Sequence, residues 1–379
     1  MRIGIFGGSF DPVHKEHVQL ARVAVRELGL DKLFIVPAGT PPHKAGKKLA
    51  SARDRLEMCR IAFADLPQAV VDDWEIRQEG KSYTYLTCRR YAALYPKSRL
   101  YLLVGTDMFW DFFRWKEPDD ILSRVTLAVC RRNEEPENIA REQEAFKARF
   151  SRTFEVIPYN GLPTSSTIVR ACFALGKDVS VYLPAGVGVY IRKNGLYSYP
   201  VIEKGLSLEK PSRAEHSCRV CLMAARNAAR FHLDEEKVLL ASALHDVAKN
   251  LPPDSPYLAG FVPPNDVPMP VMHQFSGAYV LEHAFGISDG EILNAVRYHT
   301  SGRAGMGALE KLVFLCDMLE EERAFAGVEE LRRVFEEDAD ECLYLCLKRQ
   351  VEYLGKSGSP VYPLTKEAYE YYSRKRSEK

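Results

Sequence analysis

Residues 7–17 read GGSFDPVHKEH and directly follow the short apolar run of residues 3–6. The run predicts a buried strand, and the glycines followed by a helical pattern predict a strand-to-helix loop. Outward from this loop, residues 1–199 keep alternating between strand and helix patterns. The candidate strands are residues 2–6, 33–37, 69–74, 100–104, 125–130 and 154–157, and the helical patterns between them include 16–28, 53–65 and 84–94. This alternation predicts a parallel sheet with helices on both faces, in which ligands bind beyond the carboxyl ends of the strands.

The loop itself carries residues suited to an anion. Gly7 and Gly8 can adopt backbone angles that other residues avoid, which lets amide groups approach a phosphate. A helix that starts near His14 points its positive end and its unpaired N–H groups at the same place. His14 and His17 lie three apart, so they share a helix face and can reach one phosphate together. A plain glycine turn followed by surface histidines is the alternative, but the combination favours a nucleotide-phosphate site.

Composition places the chain among ordinary globular proteins and excludes several partners. Of 379 residues, 46% are hydrophobic and 27% charged, and the formal net charge is +1. Such a balance does not indicate binding to nucleic acid or to a membrane surface. No apolar run is long enough to span a bilayer, and the N-terminus does not read as a signal peptide. The nine cysteines lack framework spacing, which predicts reduced thiols in a cytoplasmic protein.

Two cysteine pairs lie close enough in the sequence to suggest a metal or redox motif. Cys218 and Cys221 have CxxC spacing, but they lie inside a helical pattern and no second CxxC completes a thiolate site. Cys342 and Cys346 are four apart on another amphipathic run. We interpret both pairs as buried core thiols, because free cysteine is among the most buried residue types.

The pattern changes after Tyr199. Residues 200–213 are polar and contain two prolines, which we interpret as a linker between domain 1–199 and a second domain. Residues 214–372 have helical periodicity almost throughout, apart from a proline-rich loop at 250–270, and predict an all-helical domain. Residues 373–379 read as a frayed tail.

Four further motifs follow the first loop in order. They are Pro41-Pro42-His43-Lys44, Ser82-Tyr83-Thr84, Gly105-x-Asp107 with Trp115, and Ser165-Ser166-Thr167-Ile168-Val169-Arg170. Hydroxyls before a helix that carries an arginine suit contacts with a polyphosphate. Together with the first loop, these motifs make residues 1–199 resemble the bacterial nicotinate mononucleotide adenylyltransferases, within the HxGH nucleotidyltransferase superfamily. The resemblance implies an α/β Rossmann-like nucleotidyltransferase domain.

The same resemblance assigns roles to the motif residues. His14, His17 and Arg170 would be catalytic and neutralise charge while the mononucleotide phosphate attacks the α-phosphate of ATP, with Mg²⁺ bridging phosphate oxygens. Residues expected to bind ATP or phosphate are Gly7, Gly8, Ser9, Phe10, Lys44, Ser165, Ser166 and Thr167. Residues expected to bind the pyridine nucleotide are Ser82, Tyr83, Thr84, Gly105, Asp107 and Trp115. From the residues alone, Trp115 is equally a base-stacking surface or a half-buried apolar anchor, and Lys44, Lys47 and Lys48 are either a phosphate-closing loop or a solvated basic run.

One position departs from the family. The residue before the second histidine is usually glycine and is here Glu16. Position i+2 of the helix points away from His14, and acidic residues favour a helix N-terminus. We therefore expect activity to survive. A carboxylate near a bound triphosphate can repel it, so a reduced affinity for ATP is the effect to test.

The helical half carries a second candidate site, made of residue types that bind metal ions. It contains the pair His245-Asp246 in an apolar context and Asp317 within LVFLCDML. A charged aspartate among such neighbours is costly unless it is paired or bound to metal. Imidazole and carboxylate without thiolate suit iron, manganese, magnesium or zinc.

The order and context of these residues resemble one subfamily of the HD-superfamily metal phosphohydrolases, the symmetrical diadenosine tetraphosphate hydrolases. The resemblance covers about residues 205–370 and implies an all-α HD domain with one or two divalent or iron ions. His216, His245, Asp246 and Asp317 would hold one metal, and His273 and His299 a second, with Asp246 both bridging and catalytic. Lys249, Thr300 and Arg303 are candidates for holding phosphate, whereas His232 and His283 match no motif.

The prediction is thus a bifunctional enzyme whose substrates are ATP, nicotinate mononucleotide and diadenosine tetraphosphate. The preference for nicotinate over nicotinamide rests on the resemblance, and a homo-oligomer is compatible with the sequence. One rival keeps the transferase and makes the helical half a regulatory module that binds metal and nucleotide without turnover. Another gives the front domain a different pyrophosphate-releasing transfer, such as cytidylyl transfer.

Overall fold

The chain folds as two compact units. The computed structural model describes residues 1–41, 49–131, 136–159, 161 and 164–378, leaving aside the side chains of residues 107, 136 and 137. One unit comprises Met1–Arg170 and Asp178–Tyr197, and the other comprises Ala171–Lys177 and Ser198–Lys379.

The first unit is built on a parallel sheet. Its six strands have the order β3-β2-β1-β4-β5-β6, and every neighbouring pair is parallel. The strands are β1 Arg2–Gly8, β2 Lys32–Pro37, β3 Ala69–Val71, β4 Arg99–Gly105, β5 Thr126–Arg131 and β6 Glu155–Pro158. Because β1 pairs with both β2 and β4, the direction of winding reverses there, and a crevice opens beyond its carboxyl end. The loop at residues 9–13 leaves β1 at this crevice.

Helices connect the strands of this unit. They are α1 Lys15–Leu28, α2 Ala52–Ala62, α3 Trp74–Arg77, α4 Thr84–Leu94, α5 Thr106–Asp111, α6 Pro118–Arg124, α7 Pro136–Phe150, α8 Ser166–Ala174 and α9 Ala185–Lys193. Apolar strand residues such as Ile3, Ile5 and Val129 are fully buried under them, as expected for a parallel sheet covered on both faces. The predicted Rossmann-like α/β class is confirmed.

The second unit is helical, and no strand occurs among its described residues. Its helices are α10 Pro200–Ser207, α11 Pro211–Asn227, α12 Glu235–Ala243, α13 Met269–His283, α14 Gly290–Arg297, α15 Ala308–Leu319, α16 Val328–Glu337, α17 Ala339–Lys356 and α18 Pro363–Ser377. Residues such as Val220, Leu312 and Phe335 form its continuous apolar core. In the described part of the chain, no helix is both long and apolar enough to cross a membrane.

Two segments differ from the sequence-based prediction. The expected linker at 200–213 contains all of α10 and the first turn of α11, because Pro200 and Pro211 occupy first-turn positions that tolerate proline. Ile202 is fully buried, so α10 also has an apolar anchor. The expected frayed tail is helical to Ser377, and Arg376 there bonds to Glu341 on α17, with Nε 2.8 Å from Oε2.

Candidate active sites

The loop after β1 differs from the prediction at its glycines. Gly7 and Gly8 continue β1 in register with Val36 and Pro37 rather than adopting left-handed angles. A Cβ on Gly8 would lie 3.2 Å from the ring of Phe10, so glycine makes room for that ring. The left-handed residue is Phe10 itself, with φ 47°. The chain therefore turns after the glycines, and Phe10 is buried at the turn.

His14 and His17 lie at the start of α1 as predicted. His14 is the N-cap residue, and its backbone N–H donates to Nδ1 of His17 at 3.2 Å. The two imidazole rings are 3.8 Å apart, centre to centre. Since Nδ1 of His17 accepts a hydrogen bond, the ring proton of the neutral side chain is on Nε2, which can donate to a phosphate oxygen. Both rings thus stand at the positive end of the helix.

The Ser165–Arg170 segment is tied to this loop. Arg170 donates through Nη1 to the carbonyl of Asp11 and through Nη2 to the hydroxyl of Thr167, the latter at 3.1 Å. Ser166 donates to the carbonyl of Pro12 at 3.0 Å, and Ser165 accepts from the backbone N–H of Ile168 at 3.3 Å. The predicted hydroxyls and guanidinium are therefore held beside the histidine loop.

A buried arginine, not predicted from the sequence, supports the same loop. Arg55 is 1% exposed and donates to the carbonyls of Ser9 at 2.8 Å, Gly39 at 3.1 Å and Ala50 at 3.1 Å. Burial lowers the pKa of Arg55, and the nearby carboxylate of Asp11 opposes that shift. In the charged pattern RDRLEMCR this residue looks like a solvated helix residue.

Glu16, the departure from the family glycine, is directed into the protein. It is 8% exposed, and its carboxylate accepts a hydrogen bond from the hydroxyl of Tyr159, directly after β6. The Tyr159 hydroxyl also lies 3.3 Å from the backbone oxygen of Glu16. Survival of activity with Glu16 at this position stays a prediction, and a reduced affinity for ATP stays the effect to test.

The residues predicted to hold the pyridine nucleotide lie at the end of β4, at the start of α4 and, for Trp115, in the segment before α6. Ser82 accepts through its hydroxyl from the backbone N–H groups of Gly39 and Thr40, at 2.9 and 3.2 Å. Tyr83 is the N-cap of α4, which begins at Thr84, and Gly105 ends β4. Trp115 is half-buried, with its ring 5.3 Å from that of Phe112. Both readings of Trp115 therefore stay open.

Two of the predicted contacts concern residues that are not described. Lys44 and its neighbours Lys47 and Lys48 lie outside the described residues, as does the side chain of Asp107. Their assignment continues to rest on the sequence alone.

In the helical unit, residues from separate helices and loops meet at one point. Nε2 of His216 on α11 lies 2.9 Å from Oδ1 of Asp317 on α15. Oδ1 of Asp246 lies 3.1 Å from Nε2 of His273 and 3.3 Å from Nε2 of His299. These contacts join residues that are up to 101 positions apart in the sequence.

The geometry of this cluster suits metal ions. Two groups, His216-His245-Asp317 and His245-Asp246-His299, each offer ligand atoms that lie within 4.8 Å of one another. His245 donates through Nδ1 to the carbonyl of Ser242 at 2.8 Å, which leaves its buried Nε2 as a lone-pair atom without a hydrogen bond from any described residue. That nitrogen is 3.6 Å from Asp246 and 3.9 Å from Asp317. The donor set fits a metal.

Electrostatics keeps the ligands in the protonation states that metals require. Burial lowers the pKa of His245 and of His273 to about 4, so both imidazoles are neutral near pH 7. Burial alone would raise the pKa of Asp246 and of Asp317, but the surrounding histidines, with Arg323 beside Asp317, lower both. Neutral imidazole and ionised carboxylate are the metal-binding forms.

The predicted phosphate-binding residues divide into two groups. Lys249 and Thr300 contact the cluster: Nζ of Lys249 and Oγ1 of Thr300 each lie 3.0 Å from Nε2 of His273. Arg303 instead forms a bidentate ion pair with Glu310, at 2.7 and 2.8 Å. Its assignment to phosphate stays a prediction.

Comparison with known proteins places these observations in a family. A curated relative from Desulfitobacterium hafniense strain Y51, named "Probable nicotinate-nucleotide adenylyltransferase", is 36% identical over 197 residues, which is 52% of this chain and 95% of the relative. The chain belongs to the nicotinate-nucleotide adenylyltransferase family. The family described as Cytidylyltransferase-like matches residues 5–172, and the family described as HD domain matches residues 213–356. The predicted combination of a nucleotidyltransferase domain with an HD domain is confirmed.

Two further similarities are to a curated protein over most of the chain and to a solved structure over less than half of it. A Mycoplasma genitalium protein named "Probable nicotinate-nucleotide adenylyltransferase/Ap4A hydrolase" is 28% identical over 327 residues, 85% of this chain and 88% of the relative. A crystal structure of a "predicted HD superfamily hydrolase involved in NAD metabolism" from Clostridium acetobutylicum is 27% identical and has a TM-score of 0.43. The similarity covers 46% of the chain described here and 96% of the Clostridium chain.

Several residues around the HD cluster were not predicted. Arg213 and Arg323 contact the aspartates Asp246 and Asp317. Glu320 is 2% exposed and lies 3.1 Å from Nδ1 of His216. The sequence signal was the acidic run CDMLEEER, but charge alone does not tell which glutamate turns inward.

Replacing Glu320 by glutamine should weaken metal binding by about 10–100-fold, because an outer carboxylate orients a ligating histidine and raises its basicity. Glu320 bridges His216 and the Nε atom of Arg219, 2.6 Å away. Competition with a chromophoric chelator measures the affinity. The control is Glu336→Gln, whose side chain is 72% exposed. An unchanged affinity in Glu320→Gln would contradict this role.

A second buried carboxylate predicts a pH effect on stability. Burial raises the pKa of Glu209 to about 8, and its Oε2 accepts from Ser217 at 2.8 Å. Between its ordinary pKa and about 8, the folded chain holds a proton that the unfolded chain releases, so stability falls as pH rises, by up to about 1.4 kcal/mol per pH unit. Glu209→Gln should flatten this dependence in urea titrations at pH 5.5 and 7.5. Equal slopes in both chains would refute the assignment.

The cysteines are buried as predicted, and the two histidines His232 and His283 that match no motif lie at the surface. All nine cysteines are buried and free. Burial raises the pKa of Cys218 to about 11 and that of Cys221 to about 12, which fits core thiols. His232 and His283 are exposed, and the ring of His283 stacks on that of Tyr279 at 4.1 Å.

Proposed function

We propose that the chain is a bifunctional enzyme. Its first unit transfers AMP from ATP to nicotinate mononucleotide, giving deamido-NAD and pyrophosphate. Its HD unit hydrolyses diadenosine tetraphosphate symmetrically to two ADP. The observation that carries the second activity is the convergence of His216, His245, Asp246 and Asp317, in which the His245 imidazole is neutral and both carboxylates are ionised. Similarity to relatives named for both activities supports the pairing.

For adenylyl transfer, the residues act by position and charge. The 5′-phosphate of the mononucleotide attacks the α-phosphate of ATP in line, and pyrophosphate leaves without a covalent enzyme intermediate. His17 donates from Nε2, and the helix N-terminus and Arg170 neutralise the developing charge. Mg²⁺ would enter with ATP, bound mainly through phosphate oxygens. Arg55 keeps the loop carbonyls in place, so the donors need not reorganise.

For hydrolysis, the second unit holds ions and substrate phosphates. His216, His245 and Asp317 would hold one ion, and Asp246, His273 and His299 would complete the centre. Divalent or iron ions bound there would lower the pKa of the attacking water and neutralise charge on the phosphates. Lys249 and Thr300 lie beside His273 and His299, at the edge of the cluster, where they can bind a phosphate oxygen.

One experiment tests both halves. Purified protein is analysed for metal and incubated separately with ATP plus nicotinate mononucleotide and with diadenosine tetraphosphate, and products are separated by chromatography. Deamido-NAD with pyrophosphate, and ADP as the sole adenine product of hydrolysis, are expected. ATP plus AMP would indicate a different cleavage. Bound metal and ADP without turnover would make the HD unit a regulatory module, and transfer only with CTP would replace the first activity.

A further inference from the structure

Two arginines face the metal-binding aspartates from the solvent side. Nη1 of Arg213 lies 3.0 Å from Oδ2 of Asp246, and Nη2 of Arg323 lies 2.6 Å from Oδ1 of Asp317. The arginine side chains are 32% and 37% exposed, whereas those of the aspartates are 3% and 15% exposed. Both cations therefore stand between the buried ligands and solvent.

The position of Arg213 is not explained by its helix. It lies in the first turn of α11, where the helix dipole disfavours a positive side chain. Its partner across the unit is Asp246, 33 positions away in the sequence. A cation held against the dipole at the mouth of a phosphate-processing cluster indicates a role toward the cluster rather than in helix stability.

Arg323 contacts the same oxygen that a metal would use. Oδ1 of Asp317 lies near Nε2 of His216, at 2.9 Å, and is the oxygen that faces His245 at 3.9 Å. An ion and a guanidinium group repel each other, so close approach of one to this oxygen weakens the contact of the other. An ion at Oδ1 would thus displace the Nη2 end of the Arg323 guanidinium toward solvent, where a substrate approaches, while Nε keeps the hydrogen bond that it donates to the backbone carbonyl of Asp317 at 2.8 Å.

We propose that Arg213 and Arg323 bind the polyphosphate of the hydrolase substrate, and that ion binding at Asp246 and Asp317 releases them for this role. The proposal rests on the proposed hydrolytic function. A tetraphosphate carries several negative charges, and the planar guanidinium fork matches two phosphate oxygens at once. The guanidinium group of Arg303, the arginine predicted from the sequence to bind phosphate, instead donates two hydrogen bonds to the carboxylate of Glu310.

The test separates metal binding from phosphate binding in the full-length chain. Arg213→Ala and Arg323→Ala are compared with Arg333→Ala, an arginine that is 68% exposed and pairs with Glu330. Mn²⁺ affinity is measured by chelator competition, and ADP affinity of the Mn²⁺-loaded chain by calorimetry. ADP binding that persists in the double variant Arg213→Ala/Arg323→Ala is assigned to the first unit and is subtracted.

The affinity for ADP should fall without a fall in the affinity for Mn²⁺. Each alanine variant should bind ADP at least about tenfold more weakly, as the loss of a charge-assisted hydrogen bond implies, while Mn²⁺ affinity is retained or rises several-fold, most clearly in Arg323→Ala. Arg213→Lys and Arg323→Lys, which keep the charge and lose the fork, should lie between the alanine variants and the wild type. A parallel fall of both affinities would make the arginines structural supports and overturn the proposal, as would unchanged ADP affinity.

Failure of the proposed function is distinguishable from failure of this assignment. If the wild-type HD unit binds ADP through these arginines but leaves diadenosine tetraphosphate intact, the hydrolase function is wrong and the phosphate site stands. If diadenosine tetraphosphate is hydrolysed while the alanine variants bind ADP as the wild type does, the function stands and the arginine assignment is wrong.

Discussion

Asp246→Asn is expected to abolish hydrolysis of diadenosine tetraphosphate and to remove bound metal. Asp246 is the residue common to the cluster: its Oδ1 faces His273 and His299, and its Oδ2 faces His245 at 3.6 Å. An asparagine keeps the shape but loses the negative charge that a pair of cations requires. Because loss of an outer partner alone costs about 10–100-fold, loss of this ligand should exceed about a hundredfold. Metal analysis and the rate of ADP formation measure the effect.

The matched control is Asp254→Asn, an exposed aspartate of the same unit, which should leave metal content and hydrolysis unchanged. Adenylyl transfer in the Asp246→Asn preparation should equal that of the wild type, since Asp246 belongs to the other compact unit. Retention of both metal and hydrolysis in Asp246→Asn would refute the assignment of the centre.

The sheet could be predicted from the sequence because its strands are buried on both faces. Strands predicted at 33–37 and 100–104 are observed at Lys32–Pro37 and Arg99–Gly105, within a residue at each end. Parallel strands covered by helices read as apolar runs with polar ends, so their limits are marked in the sequence. The third strand ends early, at Val71, because Asp72 and Asp73 lead into helix α3 at Trp74.

Segments with mixed composition were predicted less well. Proline in 200–213 was interpreted as a sign of a linker, although proline is equally at home in the first turn of a helix. The decisive facts, burial of Ile202 and of Gly205, depend on tertiary packing. The prediction for Gly8 was wrong for the same reason, because it depends on tertiary packing. Gly8 makes room for the ring of Phe10 and does not turn the chain.

The candidate sites could be predicted where their functional residues are close together in the sequence. His14 with His17, and His245 with Asp246, are close in sequence and unusual in their surroundings. The roles of Arg55, Arg213 and Glu320 could not be predicted in this way. Their partners lie far away in the sequence, and helix or strand periodicity relates only residues that are a few positions apart. Arg55, for example, bonds to Ser9, 46 positions away. Supporting residues of this kind are revealed by the fold rather than by the motif.

His17→Ala is expected to lower kcat for adenylyl transfer by about 10²–10³-fold, the effect of removing one preorganised donor to a developing charge. The ring is oriented by the hydrogen bond from the backbone N–H of His14 to Nδ1, which places the proton of the neutral ring on Nε2. Since donation from Nε2 strengthens as charge develops, kcat should fall more than the affinity for ATP. Pyrophosphate release at saturating ATP and nicotinate mononucleotide measures it.

Two companion variants separate catalysis from helix capping. His17→Asn keeps a short polar side chain at the third position of α1 and, if the loss is chemical, should be nearly as slow as His17→Ala. Gln19→Ala changes an exposed residue of the same helix and should retain full activity. Hydrolysis of diadenosine tetraphosphate should be unaffected in all three. If His17→Asn restored kcat to the wild-type value, His17 would be a capping residue, because asparagine can replace its hydrogen bond to the backbone but not the donor at Nε2.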